Sequence, residues 1–251
     1  MDSAPRRPIA VRPLVMGAAL AVLLAVSGRS LWRIGQSVEM ARASEPLQHV
    51  PARAAMRMLI VGDSTAVGTG ASAAQASVAG LIVRDHPQLS IENRARDGAT
   101  FADVVAQLAG DARYDIVLVQ AGGNDVIRMR GLEAMRRDID LVAGLARRRA
   151  SVVVLMPAGN VGNAPFFFPP VSWLMTWRAR QMHAYVREAA ARHGATYVNL
   201  FQERADDPFA RRPELNARDG LHPSDAGYRV WFAELDSQAD LGLRLAAARG
   251  P

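Results

Sequence analysis

Five short apolar runs, separated by longer helix-like stretches, constrain this chain more than any other feature. The runs are Met58–Val61, Leu89–Asn93, Ile116–Gln120, Val152–Met156 and Thr196–Leu200. The stretches that alternate with them, about 71–85, 100–109, 132–149, 172–193 and 224–247, read as helices. Strand-length runs alternating with helices predict a parallel, doubly wound sheet. Such strands are covered on both faces, which is why they read as continuous apolar runs and not as alternating ones. The expected fold class is α/β: one domain with a mostly parallel five-stranded sheet between helical layers, a flavodoxin-like three-layer sandwich. A chain of 251 residues, half of them hydrophobic, can bury one core of that size. No internal repeat or low-complexity tract interrupts the pattern.

Open sheets of this kind carry their chemistry at the carboxyl ends of the strands. Gly62-Asp63-Ser64 follows the first run, Asn93-Arg94-Ala95-Arg96-Asp97-Gly98 closes the second, and Gly122-Gly123-Asn124-Asp125 follows the third. Near the other end of the chain, Asp219-Gly220-Leu221-His222-Pro223 supplies a carboxylate and an imidazole. A serine, a base, an orienting acid and hydrogen-bond donors are what acyl transfer requires. Each block has a plainer reading when taken alone. Ser64 could cap a helix after a strand, Asn124 and Asp125 could form a turn, Asp219 could be a cap, and His222 could open the last helix. The remaining histidines have no carboxylate placed as usefully. His183 and His193 fall in a helical stretch, His86 precedes Pro87, and His49 lies before the first strand, so structural or solvated roles are expected for all four.

Other classes are disfavoured. The chain has no cysteine, which excludes disulfides, thiolate metal sites and a cysteine nucleophile. All 30 basic residues are arginine, and without lysine there is no Walker-type phosphate loop. Gly68-Thr69-Gly70-Ala71-Ser72-Ala73, with Glu92 as a ribose-binding acid, fits a dinucleotide fingerprint only loosely, because Gly68 lies seven residues beyond Val61. No cofactor is expected, and no pattern of His and carboxylates suggests a metal. The formal charge is +6. Residues 1–34 hold Arg6, Arg7, Arg12, Arg29 and Arg33 against Asp2, a net of +4, which leaves only +2 for the rest. That is no footprint for nucleic acid. Arg147-Arg148-Arg149 ends a helical stretch, where cations complement the helix dipole, and a solvated helix end is expected.

Residues 14–26 form an uncharged apolar run behind a basic start. Thirteen residues suit a signal-peptide core, with Ala25-Val26-Ser27 as a small-x-small cleavage site. A spanning helix wants about 20 residues, a length approached if Arg12 and Arg29 snorkel and Leu31 and Trp32 sit at the interface. Residues 1–32 are therefore expected to be a signal peptide or an apolar N-terminal membrane-anchor helix, with 11–32 giving any membrane association. Residues 33–56 show no clear period and read as a linker. Residues 57–251 make the folded domain, which is expected to be exported: membrane-anchored, periplasmic or secreted. Pro165-Phe166-Phe167-Phe168-Pro169-Pro170, followed by Trp173, Leu174 and Trp177, falls after the fourth strand. That segment could line an acyl pocket, touch a bilayer, or pack over the sheet.

Taken in order, Gly62-Asp63-Ser64, Gly98, Gly122-Gly123-Asn124-Asp125 and Asp219-Gly220-Leu221-His222 resemble the blocks of the SGNH hydrolases, the GDSL-type esterase and lipase family. The resemblance covers roughly residues 57–235. Members often have Leu after the serine, where this chain has Thr65. The resemblance implies a carboxylic-ester hydrolase with an acyl-serine intermediate and no cofactor. Ser64 would be the nucleophile, His222 the base, and Asp219 the acid that orients it. The Ser64 and Gly98 backbone N–H groups and the Asn124 amide would form the oxyanion hole. The implied substrate is a small-molecule, lipid or glycan ester. An O-acetyl-glycan esterase, an acyltransferase, and a non-catalytic glycan- or ligand-binding domain on the same fold are the alternatives.

Overall fold

The computed structural model describes residues 28–242. It opens with helix α1 across residues 28–43. The sheet strands are β1 (Met56–Gly62), β2 (Leu89–Asn93), β3 (Tyr114–Gln120), β4 (Ala150–Leu155) and β5 (Thr196–Tyr197). Between and after them come α2 (Ser64–Val67), α3 (Val78–Asp85), α4 (Phe101–Gln107), α5 (Gly123–Ile127), α6 (Leu132–Arg149), α7 (Val171–His193), α8 (Pro208–Arg211) and α9 (Asp225–Ala239). All four strand pairings are parallel, in the order β2-β1-β3-β4-β5. The expected α/β sandwich with a five-stranded parallel sheet is the observed fold.

The period of two along β1 separates the layers. Met58 and Ile60 face one core, shared with Val78 and Ile82 of α3 and Tyr228, Phe232 and Leu235 of α9. Leu59 and Val61 face the other, shared with Val104 of α4, Met135, Ile139 and Val142 of α6, and Met182 and Val186 of α7. Helix ends follow ordinary chemistry. Ser77 accepts from Gly80 N to start α3, Ser224 accepts from Gly227 N to start α9, and Gly194 in the left-handed region stops α7.

Three sequence expectations change. Residues 33–56 are not an irregular linker: α1 runs to residue 43, and the segment after it straps the edge of the sheet. His49 pairs antiparallel with Ile91, and Gln48 exchanges two hydrogen bonds with the backbone of Asn93, at 2.6 and 3.0 Å. An edge covered in this way cannot recruit another strand. Arg149 is not part of a solvated helix end. It is buried, with its guanidinium donating to the carbonyls of Ala109 and Gly110. The fifth strand is shorter than expected, stopping at Tyr197. The apolar run 14–26 lies outside the described residues, and among those described no helix is long and apolar enough to cross a membrane.

Candidate active site

The site forms where β1, β2 and β3 end side by side. Gly62 closes β1 at φ +150°, and a Cβ there would lie 1.8 Å from the Gln120 carbonyl oxygen of β3. Only glycine lets the chain leave β1 so close to its neighbour. Gln107 of α4 clamps the same residue, donating to Gly62 O at 2.9 Å and accepting from Gly62 N at 2.7 Å. The chain then turns into α2. Asp63 caps that helix, its carboxylate accepting from Thr65 N at 2.9 Å and Thr65 Oγ1 at 2.7 Å. Ser64 is thereby the first helical residue, with its side chain at the sheet edge.

The His222 turn meets it from the far end of the sequence. Asp219 accepts from the backbone N–H of Leu221 at 2.9 Å and of His222 at 3.1 Å through Oδ1. Its Oδ2 lies 2.6 Å from His222 Nδ1, and His222 Nε2 lies 2.9 Å from Ser64 Oγ. A carboxylate can only accept, so Nδ1 carries the proton and Nε2 is left to accept from the serine hydroxyl. All three residues are buried. Burial alone would push the Asp219 carboxyl up. The hydrogen bond and charge of His222, with the two backbone donors, instead hold it below its ordinary value.

Gly98 and Asn124 line the same cavity, of about 380 Å³, as Ser64 and His222. Gly98 lies at φ +75°. Asn124 Nδ2 donates to Ala99 O at 3.1 Å, and Asp125 Oδ2 accepts from Phe101 N at 3.0 Å. The two side chains thus tie the loop after β2 to the turn after β3. The candidate residues chosen from sequence, Ser64, Gly98, Asn124, Asp219 and His222, all come together here. His183 does not join them. Buried between Ala158 O (2.8 Å) and the Tyr197 hydroxyl (2.7 Å), it is held neutral by burial, its pKa pushed down to about 4 against the pull of the Ala158 hydrogen bond.

Several site residues carry no sequence signal. Asp63 also accepts from the Gly123 backbone, so one carboxylate joins the serine turn to the Gly-Gly-Asn-Asp turn. Burial raises its pKa despite these donors and the His222 charge. The cavity wall is apolar in large part, with Val38, Ile127, Val161, Leu221 and Trp231. Val38, Ser37 and Ala41 come from α1. Arg33 of α1 is buried, donates to Pro165 O, and packs its guanidinium 3.1–3.3 Å from the point where a Cβ on Gly220 would stand. Arg218 beside that turn pairs with Glu39 at 3.1 Å. Among the described residues, Phe166, Phe167 and Phe168 do not line this cavity, and no cluster of His and carboxylates is arranged to hold a metal ion.

The sequence profile of the GDSL-like lipase/acylhydrolase family matches residues 60–230. The chain belongs to that family, which makes it an ester-hydrolysing enzyme. Solved structures share its fold. An alpha/beta hydrolase enzyme from the metagenome of Lake Arreo is 19% identical, with a TM-score of 0.57 over 75% of this chain and 96% of its own. A psychrotrophic esterase from Pseudoalteromonas sp. is 17% identical, with a TM-score of 0.55 over 74% and 98%. An acetyl xylan esterase from Geobacillus stearothermophilus is 21% identical, with a TM-score of 0.52 over 74% and 95%. A search of curated proteins finds no significant match.

Proposed function

We propose that this chain is an exported carboxylic-ester hydrolase that works through an acyl-serine intermediate. The observation that carries the reading is the continuous hydrogen-bonded line Asp219–His222–Ser64, at 2.6 and 2.9 Å. His222 takes the Ser64 proton as Oγ attacks the ester carbonyl, then returns it to the leaving alkoxide. Asp219 holds the Nδ1–H tautomer and stabilises the imidazolium between those steps. The carbonyl oxygen, now negative, meets the Ser64 N–H, the Gly98 N–H and Asn124 Nδ2. Water, activated by the same imidazole, then cleaves the acyl-enzyme. Ser64 is the first residue of α2, where a helix leaves its N–H groups without internal acceptors.

The partly apolar cavity of about 380 Å³ favours an acyl chain of short to medium length over a bare acetyl group. Export is supported by the basic start and uncharged run of residues 1–26.

The test is hydrolysis of p-nitrophenyl acetate, butyrate and octanoate by the full chain, with Ser64→Ala alongside. Ser64-dependent turnover that improves from acetate to longer chains is the expected result. Turnover confined to acetate points to deacetylation of glycans or small esters. Equal rates in wild type and Ser64→Ala overturn the nucleophile, and folded wild-type protein inert on every ester favours the acyltransferase or the binding domain.

A further inference from the structure

One face of the molecule is wrongly apolar for water. Leu31 and Trp32 of α1 are 69% and 61% exposed, and Ile34 is exposed beside them. In the first two turns of α7, Val171, Trp173, Leu174 and Trp177 are all exposed, Trp173 at 69%. Phe168, in the loop leading to α7, is exposed as well. Single exposed apolar residues are ordinary, but a cluster that includes three of the chain's four tryptophans is not.

Contacts join the two halves of this face. Arg29 lies over the Phe168 ring at 5.6 Å, and Arg33 donates to Pro165 O in the same loop. The face also borders the catalytic crevice. Phe166 N donates to Gly220 O at 2.9 Å in the His222 turn, and Val38 of α1 is at once exposed and part of the cavity wall. Trp173, Leu174 and Trp177 themselves stand outside the cavity.

Two observations say what covers this face. The chain enters α1 directly from the thirteen-residue uncharged run 14–26, with residues 1–34 carrying a net +4. Exposure along α1 is also graded. After Arg29, its exposed side chains near the start are Leu31, Trp32 and Ile34, and toward the end Val38 and Ala43 stand exposed among Glu39 and Arg42. The apolar end is the one that follows the apolar run in sequence, and tryptophan is the residue that favours the bilayer boundary.

We propose that this face seats on a lipid bilayer with anionic headgroups, so that the crevice opens at the membrane surface and receives acyl esters carried by lipids of that leaflet. The seating stands on the face itself; the choice of lipid-borne esters rests on the hydrolase reading above. Apolar side chains enter the headgroup–acyl boundary, and exposed Arg29, stacked over Phe168 on the same face, meets the anionic headgroups.

The test places the full chain in vesicles of phosphatidylcholine and phosphatidylglycerol, with part of the lipid brominated on its acyl chains. Native tryptophan emission should be quenched, and Trp173→Phe with Trp177→Phe should remove a large part of the quenchable signal. Quenching confined to Trp32 overturns the proposal, because the run 14–26 then acts only as a tether. Absence of quenching also overturns it, whether a second copy or residues 14–26 themselves cover the face. As a functional readout, the triple change Trp173→Ser, Leu174→Ser, Trp177→Ser should leave turnover of p-nitrophenyl butyrate unchanged and lower turnover of a vesicle-borne acyl ester by about tenfold. Equal losses on both substrates mean a structural role and overturn the proposal. Strong quenching with no ester turnover would retain the seat and remove the hydrolase reading.

Discussion

Asp219 and Asp125 are both completely shielded from solvent, one behind His222 and the other next to Asn124 in the wall of the same crevice. Their chemistry runs in opposite directions. Asp219 receives two backbone N–H groups and the His222 ring, and its carboxyl lies below the ordinary value. In Asp125, Oδ2 receives the Phe101 N–H, while Oδ1 is buried without a hydrogen-bond partner and Arg130 Nε stays 3.8 Å away. Burial pushes the Asp125 pKa up to about 7, with the Asp63 carboxylate adding to it and the Phe101 N–H and Arg130 opposing. Burial is the same in both; the donors decide which carboxylate stays charged. One turn holds a charged carboxylate against the His222 ring, the other ties down a loop.

The sharpest way to break this contrast is to replace each carboxyl by an amide. Asp219→Asn should lower kcat by about 10⁴-fold through loss of the tautomer and of imidazolium stabilisation. Asp125→Asn, a structural change by this account, should leave kcat within about tenfold. Steady-state kinetics on p-nitrophenyl butyrate decides, and comparable losses in the two variants would erase the distinction.

A smaller effect is expected beside Asp125. Asn124→Ala should lower kcat by about 10²–10³-fold with little change in KM, because the amide acts on charge that develops only in the transition state. A rise in KM at constant kcat would make Asn124 a binding group instead.

The smallest effect separates the two carboxylates by pH. Folded Asp125 keeps its proton up to about pH 7, whereas the unfolded chain releases it near pH 3.9. Between those values the folded state holds a proton that the unfolded state has lost, so Asp125 lowers stability as pH rises from about 4 to about 7. Below that window it contributes nothing. The cost at its upper end is on the order of a few kcal/mol. Asp125→Asn should therefore make the fall in Tm over this window shallower, though not flat, since burial raises Asp63 as well. Asp219, shifted the other way, adds stability above the ordinary carboxylate range that is lost as pH falls through its depressed pKa. An unchanged Tm profile in Asp125→Asn would mean that the residue is ionised throughout.

The strands were legible because a sheet covered on both faces demands continuous apolar runs. β2 starts and stops where the sequence predicts, and β1, β3 and β4 differ from expectation by one or two residues at an end. The five candidate residues were legible because three of their blocks follow strands and one pairs a carboxylate with an imidazole three residues on. Helix α1 was not legible, for a physical reason. Its outward side chains include Leu31, Trp32, Ile34 and Val38, while its inward face offers Arg33, Ser37 and Ala41. The usual apolar stripe points the wrong way, so no period marks a packed helix. Arg149 misled similarly, because its partners are carbonyls of a loop distant in sequence. The sequence offers Ser64 as the cap, and only the fold reveals that Asp63 caps α2 instead and also holds Gly123.

The hydrogen bond between Ser64 and His222 spans 158 positions of sequence. Ser64, Gly98 and Asn124 all precede the His222 turn by about a hundred residues or more, and synthesis delivers them first. A ribosome-bound intermediate ending anywhere before residue 219 has Ser64 and the amides around it but not His222, the base of the proposed mechanism. In the proposed mechanism catalytic competence therefore arrives only with the His222 turn, and the enzyme stays inert until that turn has been made and has docked on Ser64.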